Sequence, residues 1–182
     1  ECFMPLSYGG AIKDELTAKK ILSIGFEKII INTAAIETPS LITKIAKHSG
    51  NQSVVVSIDI KKSFWGSYYI YSKDGTMKHK IDPVDWAKKA EEAGAGELII
   101  TSINNEGTWD GFDIEIIKSI TDSISIPVIA NGGAGSLTDI GNVVKNGGAS
   151  AVGLGNLVVY QQKGMGVLVN FPDINELNKI LE

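Results

Sequence analysis

Asp59 ends the run Ser53-Val-Val-Val-Ser-Ile-Asp59, in which apolar and small residues deliver a single carboxylate. A buried strand ending in an acid presents it at the strand's C-terminal tip. In a parallel barrel that tip is where catalytic groups sit, and a carboxylate there suits proton transfer. The plainer reading of Asp59 is a solvated loop acid. Two glycine turns point to a second chemistry. Ser125-Ile-Pro-Val-Ile-Ala-Asn-Gly-Gly-Ala-Gly135 reads as a short buried strand running into a turn, with a helix after it. Gly132 and Gly133 carry no Cβ, so their backbone N–H groups can close on an anion. Pro5-Leu-Ser-Tyr-Gly-Gly-Ala-Ile12 has the same design. Gly10 lies 15 residues before Gly25, and Gly133 lies 15 residues before Gly148; in both cases a strand follows. The second unit begins 123 residues after the first, counting Gly133 against Gly10. Two such turns suit a ligand with two anionic ends, or two related half-barrels. Either turn alone could use glycine for geometry only.

The elements that position these residues alternate. Strands are expected at Cys2–Tyr8, Lys28–Asn32, Ser53–Asp59, Glu97–Ser102, around Ile126–Ile129 and from Ser150. Helical spacing recurs over Asp14–Leu22, from Thr38-Pro-Ser40, over Pro83–Ala93 with Val84, Ala87 and Ala90 inward, over Asp113–Ile120 and over Leu137–Lys145. Ser136 and Asp139 suit the start of the last of these. A tail strand from Lys163 and a helix over Asp173–Leu181 close the chain. Six strands alternating with helices imply a parallel sheet with right-handed crossovers. A doubly wound sheet is one outcome. The repeat favours a (β/α)8 barrel short of two βα units, because such barrels run to about 250 residues. The whole chain, 1–182, reads as one incomplete barrel domain. Residues 65–81 interrupt the rhythm: two β-rich runs flank Lys73-Asp-Gly-Thr76, which reads as an inserted β-hairpin poised as a lid. Its aromatics Trp65, Tyr68, Tyr69 and Tyr71 are expected to pack the hairpin rather than bind ligand.

A net charge of −4 argues against a nucleic-acid partner. No apolar run approaches the length of a membrane span, so no membrane role is expected. Cys2 is the one cysteine, which excludes a disulfide framework and fits a reducing cytoplasm. Cys2, His48 and His79 make no zinc-type ligand set.

Lys28-Ile-Ile-Ile-Asn-Thr-Ala-Ala, Val54-Val-Val-Ser-Ile-Asp59, Gly94-Ala-Gly-Glu-Leu-Ile-Ile-Thr-Ser102 and Ala130-Asn-Gly-Gly-Ala-Gly135 together resemble the cyclase subunit of imidazole glycerol phosphate synthase, the HisF family of histidine biosynthesis. The resemblance covers essentially the whole chain, from the family's third strand onward. It implies a phosphate-binding TIM barrel. Ammonia from a docked glutaminase (HisH-like) subunit converts a bisphosphate substrate, PRFAR, to imidazole glycerol phosphate and AICAR, with no cofactor. By the resemblance Asp59 is one of two catalytic carboxylates; the other belongs to the family's first strand. One substrate phosphate would meet Gly10, Asn32 and Thr33. The other would meet Gly107, Gly133 and the Gly155–Asn156 turn. Lys28 and Glu97 match charged residues at the family's ammonia entrance, and read more plainly as a salt bridge at a barrel bottom.

Three departures accompany the resemblance. Asn104 and Glu106 stand where the histidine-pathway enzyme has the acids of Asp-x-Asp-Gly-Thr, and an amide at 104 cannot act as a base. Ala11 replaces a third glycine of the first turn. The tail Gly166-Val-Leu-Val-Asn-Phe-Pro172, with Gly155–Asn156 and the segment from Tyr160, is similar to paralogues that work with a glutaminase in surface-sugar acetamidino modification, where the barrel conducts ammonia. Three roles therefore stand open: a cyclase subunit, an ammonia-delivering subunit in sugar amidation, and a non-catalytic partial barrel that binds or dimerises along its open edges.

Overall fold

A computed structural model describes residues 4–160, 164 and 166–182. Its elements are β1 (Ser7–Gly9), α1 (Glu15–Ile24), β2 (Lys28–Ile31), α2 (Thr33–Glu37), α3 (Ser40–Ser49), β3 (Val54–Lys62), β4 (Tyr68–Ser72), β5 (Met77–His79), α4 (Pro83–Ala93), β6 (Glu97–Ser102), α5 (Ile114–Thr121), β7 (Val128–Asn131), α6 (Leu137–Lys145), β8 (Ala151–Gly153), α7 (Asn156–Val159) and α8 (Ile174–Leu181). Side-chain caps set the helix starts. Asp14, Asp82, Asp113, Ser136 and Asp173 each accept from first-turn N–H groups. Those donors have no partner within the helix, which is why a short oxygen-bearing side chain sits there.

The strands pair in the order β1-β2-β3-β6-β7-β8. Each of these pairs is parallel. Along this path chain order and spatial order agree. A doubly wound sheet would reverse direction at a switch point, and no reversal occurs. The sequential order is that of a (β/α) barrel, here in part.

Alternation along each strand separates two faces. Val54, Val56, Ile58 and Ile60 of β3, Leu98 and Ile100 of β6, and Val128 and Ala130 of β7 are buried in one cluster with Ile42 and Ile45 of α3, Ala87 and Ala90 of α4, Ile116 and Ile120 of α5, and Val143 of α6. This layer between sheet and helices is the core. Trp86 of α4 also belongs to it, a position that the spacing of Val84, Ala87 and Ala90 passed over. The other face carries Lys28, Ser57, Asp59, Glu97, Thr101 and Asn131, all half-buried.

Several expectations change. The first strand is shorter than Cys2–Tyr8: it spans Ser7–Gly9 and is exposed along its length. Cys2 lies outside the described residues, as do positions 161–163 and 165 of the tail. The third strand does not stop at Asp59. It runs to Lys62, and Asp59–Lys62 pair antiparallel with Tyr71–Tyr68 of β4. The ribbon is thus an outgrowth of β3 and places Asp59 inside a paired strand. Tyr68, Tyr69 and Tyr71 are half-buried in it, but Trp65 is 89% exposed at the turn beside Phe64 and packs nothing into the ribbon. In the described part of the tail, regular pairing is reduced to a bridge between Tyr160 and Val167.

Candidate functional site

The C-terminal ends of the parallel strands form one rim. In register across it lie Asp59 of β3, Thr101 of β6, Asn131 of β7 and Gly153 of β8. All four are on the face turned away from the helices. Asn131 Nδ2 donates to Thr101 Oγ1 at 3.2 Å. A Cβ at position 153 would lie 2.6 Å from Asn131 Oδ1, so glycine there makes room for the amide.

Asp59 is held by short neighbours. Ser57, two residues earlier on the same face, donates its hydroxyl to Asp59 Oδ1 at 3.3 Å. Burial pushes the Asp59 carboxyl above the usual carboxylate range; hydrogen bonds from Ser57 and Asn32 pull it back in part, and the Asp74 carboxylate pushes it up again. No lysine is among the groups acting on it. A carboxyl raised by desolvation holds its proton more readily than a free one, which suits a role in proton transfer. Asn32 Oδ1 is itself buried without a hydrogen-bond partner.

The two glycine turns stand at opposite ends of the strand order. After β1, Gly10 and Ala11 both adopt the left-handed region, at φ 115° and 54°. Close by in the sheet, Asn32 and Thr33 open α2 at the end of β2. After β7, Gly132 and Gly133 have φ of 90° and 107°. They line a single recess with Gly107, Trp109, Gly155 and Asn156, and with Glu106. All five residues expected at the second anion site therefore meet in one place. Asn104, by contrast, turns away from the recess. Its Oδ1 accepts from the Lys62 backbone N–H at 2.8 Å, and its Nδ2 donates to the Lys62 carbonyl at 3.4 Å.

The repeat seen in the sequence is a structural repeat, and it extends one element further. Asn32 and Gly155 share an unusual backbone conformation, φ −122° and ψ −85° against φ −105° and ψ −91°, and each opens a short helix. In each, the carbonyl accepts from the N–H groups three and four residues on. At the opposite ends of the strands, Lys28 Nζ and Glu97 Oε1 form a close ion pair. It spans from β2 to β6 across the foot of β3, so the expected pair does meet.

Sequence spacing missed two residues of the rim. Ser57 is one period-2 step from Asp59 and was legible in principle. Lys73 was not, because only the ribbon's fold carries its backbone N–H to Thr33 Oγ1, 3.1 Å away.

A parallel (β/α) path with paired glycine turns and a rim carboxylate defines a class, the (β/α) barrels, here in part. Residues 1–163 match the histidine biosynthesis protein family, and the chain belongs to that family. Within it the chain is similar to imidazole glycerol phosphate synthase subunits. A Pseudomonas aeruginosa protein provisionally named subunit hisF2 is 46% identical over 178 residues, which cover 98% of this chain and 71% of that protein. A Vibrio vulnificus protein provisionally named subunit hisF3 is 36% identical over 183 residues, covering 100% of this chain and 70% of that protein. Subunit HisF of Alkaliphilus metalliredigens is 39% identical over 162 residues, 89% of this chain and 64% of that protein. Among the described residues no helix is long and apolar enough to cross a membrane.

Proposed function

We propose that the chain acts as the cyclase part of an imidazole glycerol phosphate synthase, taking ammonia from a glutaminase partner to convert PRFAR to imidazole glycerol phosphate and AICAR. The observation that carries this reading is the arrangement of Asp59 between two glycine turns on one rim, with the Lys28–Glu97 pair at the opposite strand ends. Gly10, Asn32 and Thr33 would take one phosphate; Gly107, Gly132, Gly133, Gly155 and Asn156 would take the other. Holding both ends stretches the substrate across Asp59 and removes most of its orientational freedom before reaction. Asp59 then moves a proton at the bond being made or broken, which general acid–base catalysis makes worth about 10²–10⁴ in rate. Lys28 and Glu97 would admit ammonia at the foot of the strands.

The test is ammonia-dependent turnover of PRFAR. Turnover that falls by about 10²-fold or more in Asp59→Asn supports the cyclase. PRFAR bound but not turned over, by this chain and by one with two upstream βα units restored, would overturn it and favour ammonia delivery in sugar amidation. The specific observation behind that second reading is Asn104. Its two-way bond to Lys62 needs both an acceptor and a donor, which an ionised Asp cannot supply. The position has become a brace for the ribbon instead of a source of protons.

A further inference from the structure

All 17 basic residues of this chain are lysines. A bisphosphate would therefore meet no bidentate guanidinium, only ammonium groups and backbone N–H. Among the described residues, the recess at the second glycine turn is lined by no lysine and includes Glu106. Beside the first turn, the ribbon reaches the start of α2. Lys73 and Asp74, between β4 and β5, take left-handed backbone conformations with φ of 52° and 57°, followed by Gly75 at 76°. That tight turn delivers the Lys73 N–H to Thr33 Oγ1. Thr33 Oγ1 is thereby an acceptor, and its own proton is left to point elsewhere. The Lys73 ammonium lies 3.2 Å from Glu37 Oε1, with both side chains about half exposed. Thr33 and Glu37 are the two ends of α2, about 6 Å apart along its axis. A lysine stem can cover that by rotating.

The base of the ribbon is fixed. Ser72, fully buried, lies 2.7 Å from His79 Nε2. Tyr68 donates to Asp113 at 3.0 Å, and Asn104 Oδ1 accepts from the Lys62 N–H at 2.8 Å. So the turn at Lys73 is carried on a firm arm, and only its exposed ion pair needs to be exchanged. Exposed pairs of this kind contribute little, whereas an ammonium–phosphate bond is charge-assisted on both sides.

We propose that Lys73 and the Thr33 hydroxyl form the cationic half of the first phosphate site, with the ammonium leaving Glu37 for the phosphate and the ribbon turn closing over it. The proposal rests on the bisphosphate reading above. It makes the two ends of the ligand unequal: one is held by an ammonium, the other by backbone N–H groups and amides. Phosphate binding at one end thereby fastens the lid over Asp59.

The test is titration of the full chain with inorganic phosphate, followed through backbone amide resonances. The Gly10 and Thr33 signals are expected to shift and saturate. Lys73→Ala should weaken that titration about tenfold, Lys73→Glu more, and Lys73→Arg little. Lys13→Ala, the same charge change on an exposed lysine near the turn, should leave it within about twofold. Signals of Gly133 and Gly155 should titrate alike in all variants. Phosphate should also slow amide exchange over residues 71–77 in the wild type and not in Lys73→Ala. Lys73→Ala titrating like the wild type, Lys13→Ala weakening binding as much, or exchange slowing without Lys73 would each overturn the inference while leaving the anion site standing. Absence of any Gly10 or Thr33 shift in the wild type, even with PRFAR as the titrant, would overturn the bisphosphate reading and the inference together.

Discussion

A methyl group added at Gly10 would meet nothing within 4 Å, whereas one added at Gly133 would collide with the Gly111 carbonyl, and one at Gly132 would lie 2.7 Å from the Ser102 carbonyl. The two turns share their residue types and their spacing to the next strand, yet glycine answers different needs in them. At Gly10 it supplies only the left-handed φ. At Gly132 and Gly133 it also lets the end of β7 close on Ser102 at the end of β6 and on Gly111 in the loop that follows, whose N–H donates to the Gly133 carbonyl at 2.8 Å. One turn lies open after β1, the first of the described strands. The other is a packed joint between interior strands. The packed one is covered by its own neighbours. Identical local chemistry can thus lie in unlike tertiary settings, and only the setting decides what a mutation does.

The comparison can be broken most sharply by Gly133→Ala. Backbone overlap adds to an unfavourable φ, so a loss of about 3 kcal/mol or more is expected, lowering the melting temperature on the order of 6–12 °C. Gly10→Ala should lose only the left-handed penalty, about 1 kcal/mol. Denaturant unfolding of both variants checks the contrast; equal losses would mean that the turns are packed alike.

Asp59→Asn probes the rim between the turns. The native carboxyl binds its proton more tightly than the unfolded one, because burial raises it. The contribution of this group to stability is therefore fullest at low pH, and it declines as pH rises from about 4, the unfolded value, through the raised native value. Removing the charge should raise the melting temperature at pH 7. The gain should shrink toward pH 4. A gain that is independent of pH would point to packing instead.

The smallest effect is expected from Ala11→Gly. Ala11 sits at φ 54°, where alanine is strained, and glycine relieves that at the expense of chain entropy. The net should be a stabilisation of about 0.5 kcal/mol by thermal unfolding. Destabilisation would show that the Ala11 methyl is packed.

Helix starts were legible because caps are local: Asp14, Asp82, Asp113 and Ser136 act within three residues of themselves. Strand β6 and helices α4 and α6 stand at the expected bounds for the same reason, since a run of alternating or helical burial declares itself within a window. The repeat at 123 residues declared itself too, and the shared conformation of Asn32 and Gly155 follows from it. What the sequence could not carry was anything set by strand-to-strand pairing. Asp59 reads as the end of a strand, and the continuation to Lys62 exists only because β4 folds back to supply its hydrogen bonds. Asn104 reads as a lost acid, and its bond to Lys62 joins residues 42 apart. Lys73 reads as one residue of a hairpin turn, and its meeting with Thr33 spans 40. Composition and spacing determined that this chain is a βα-repeat protein with two glycine turns and one carboxylate among them. The tertiary structure alone decided which turn is open, which is packed, and which lysine reaches a rim, because those depend on contacts between segments whose separation along the chain leaves no periodic trace.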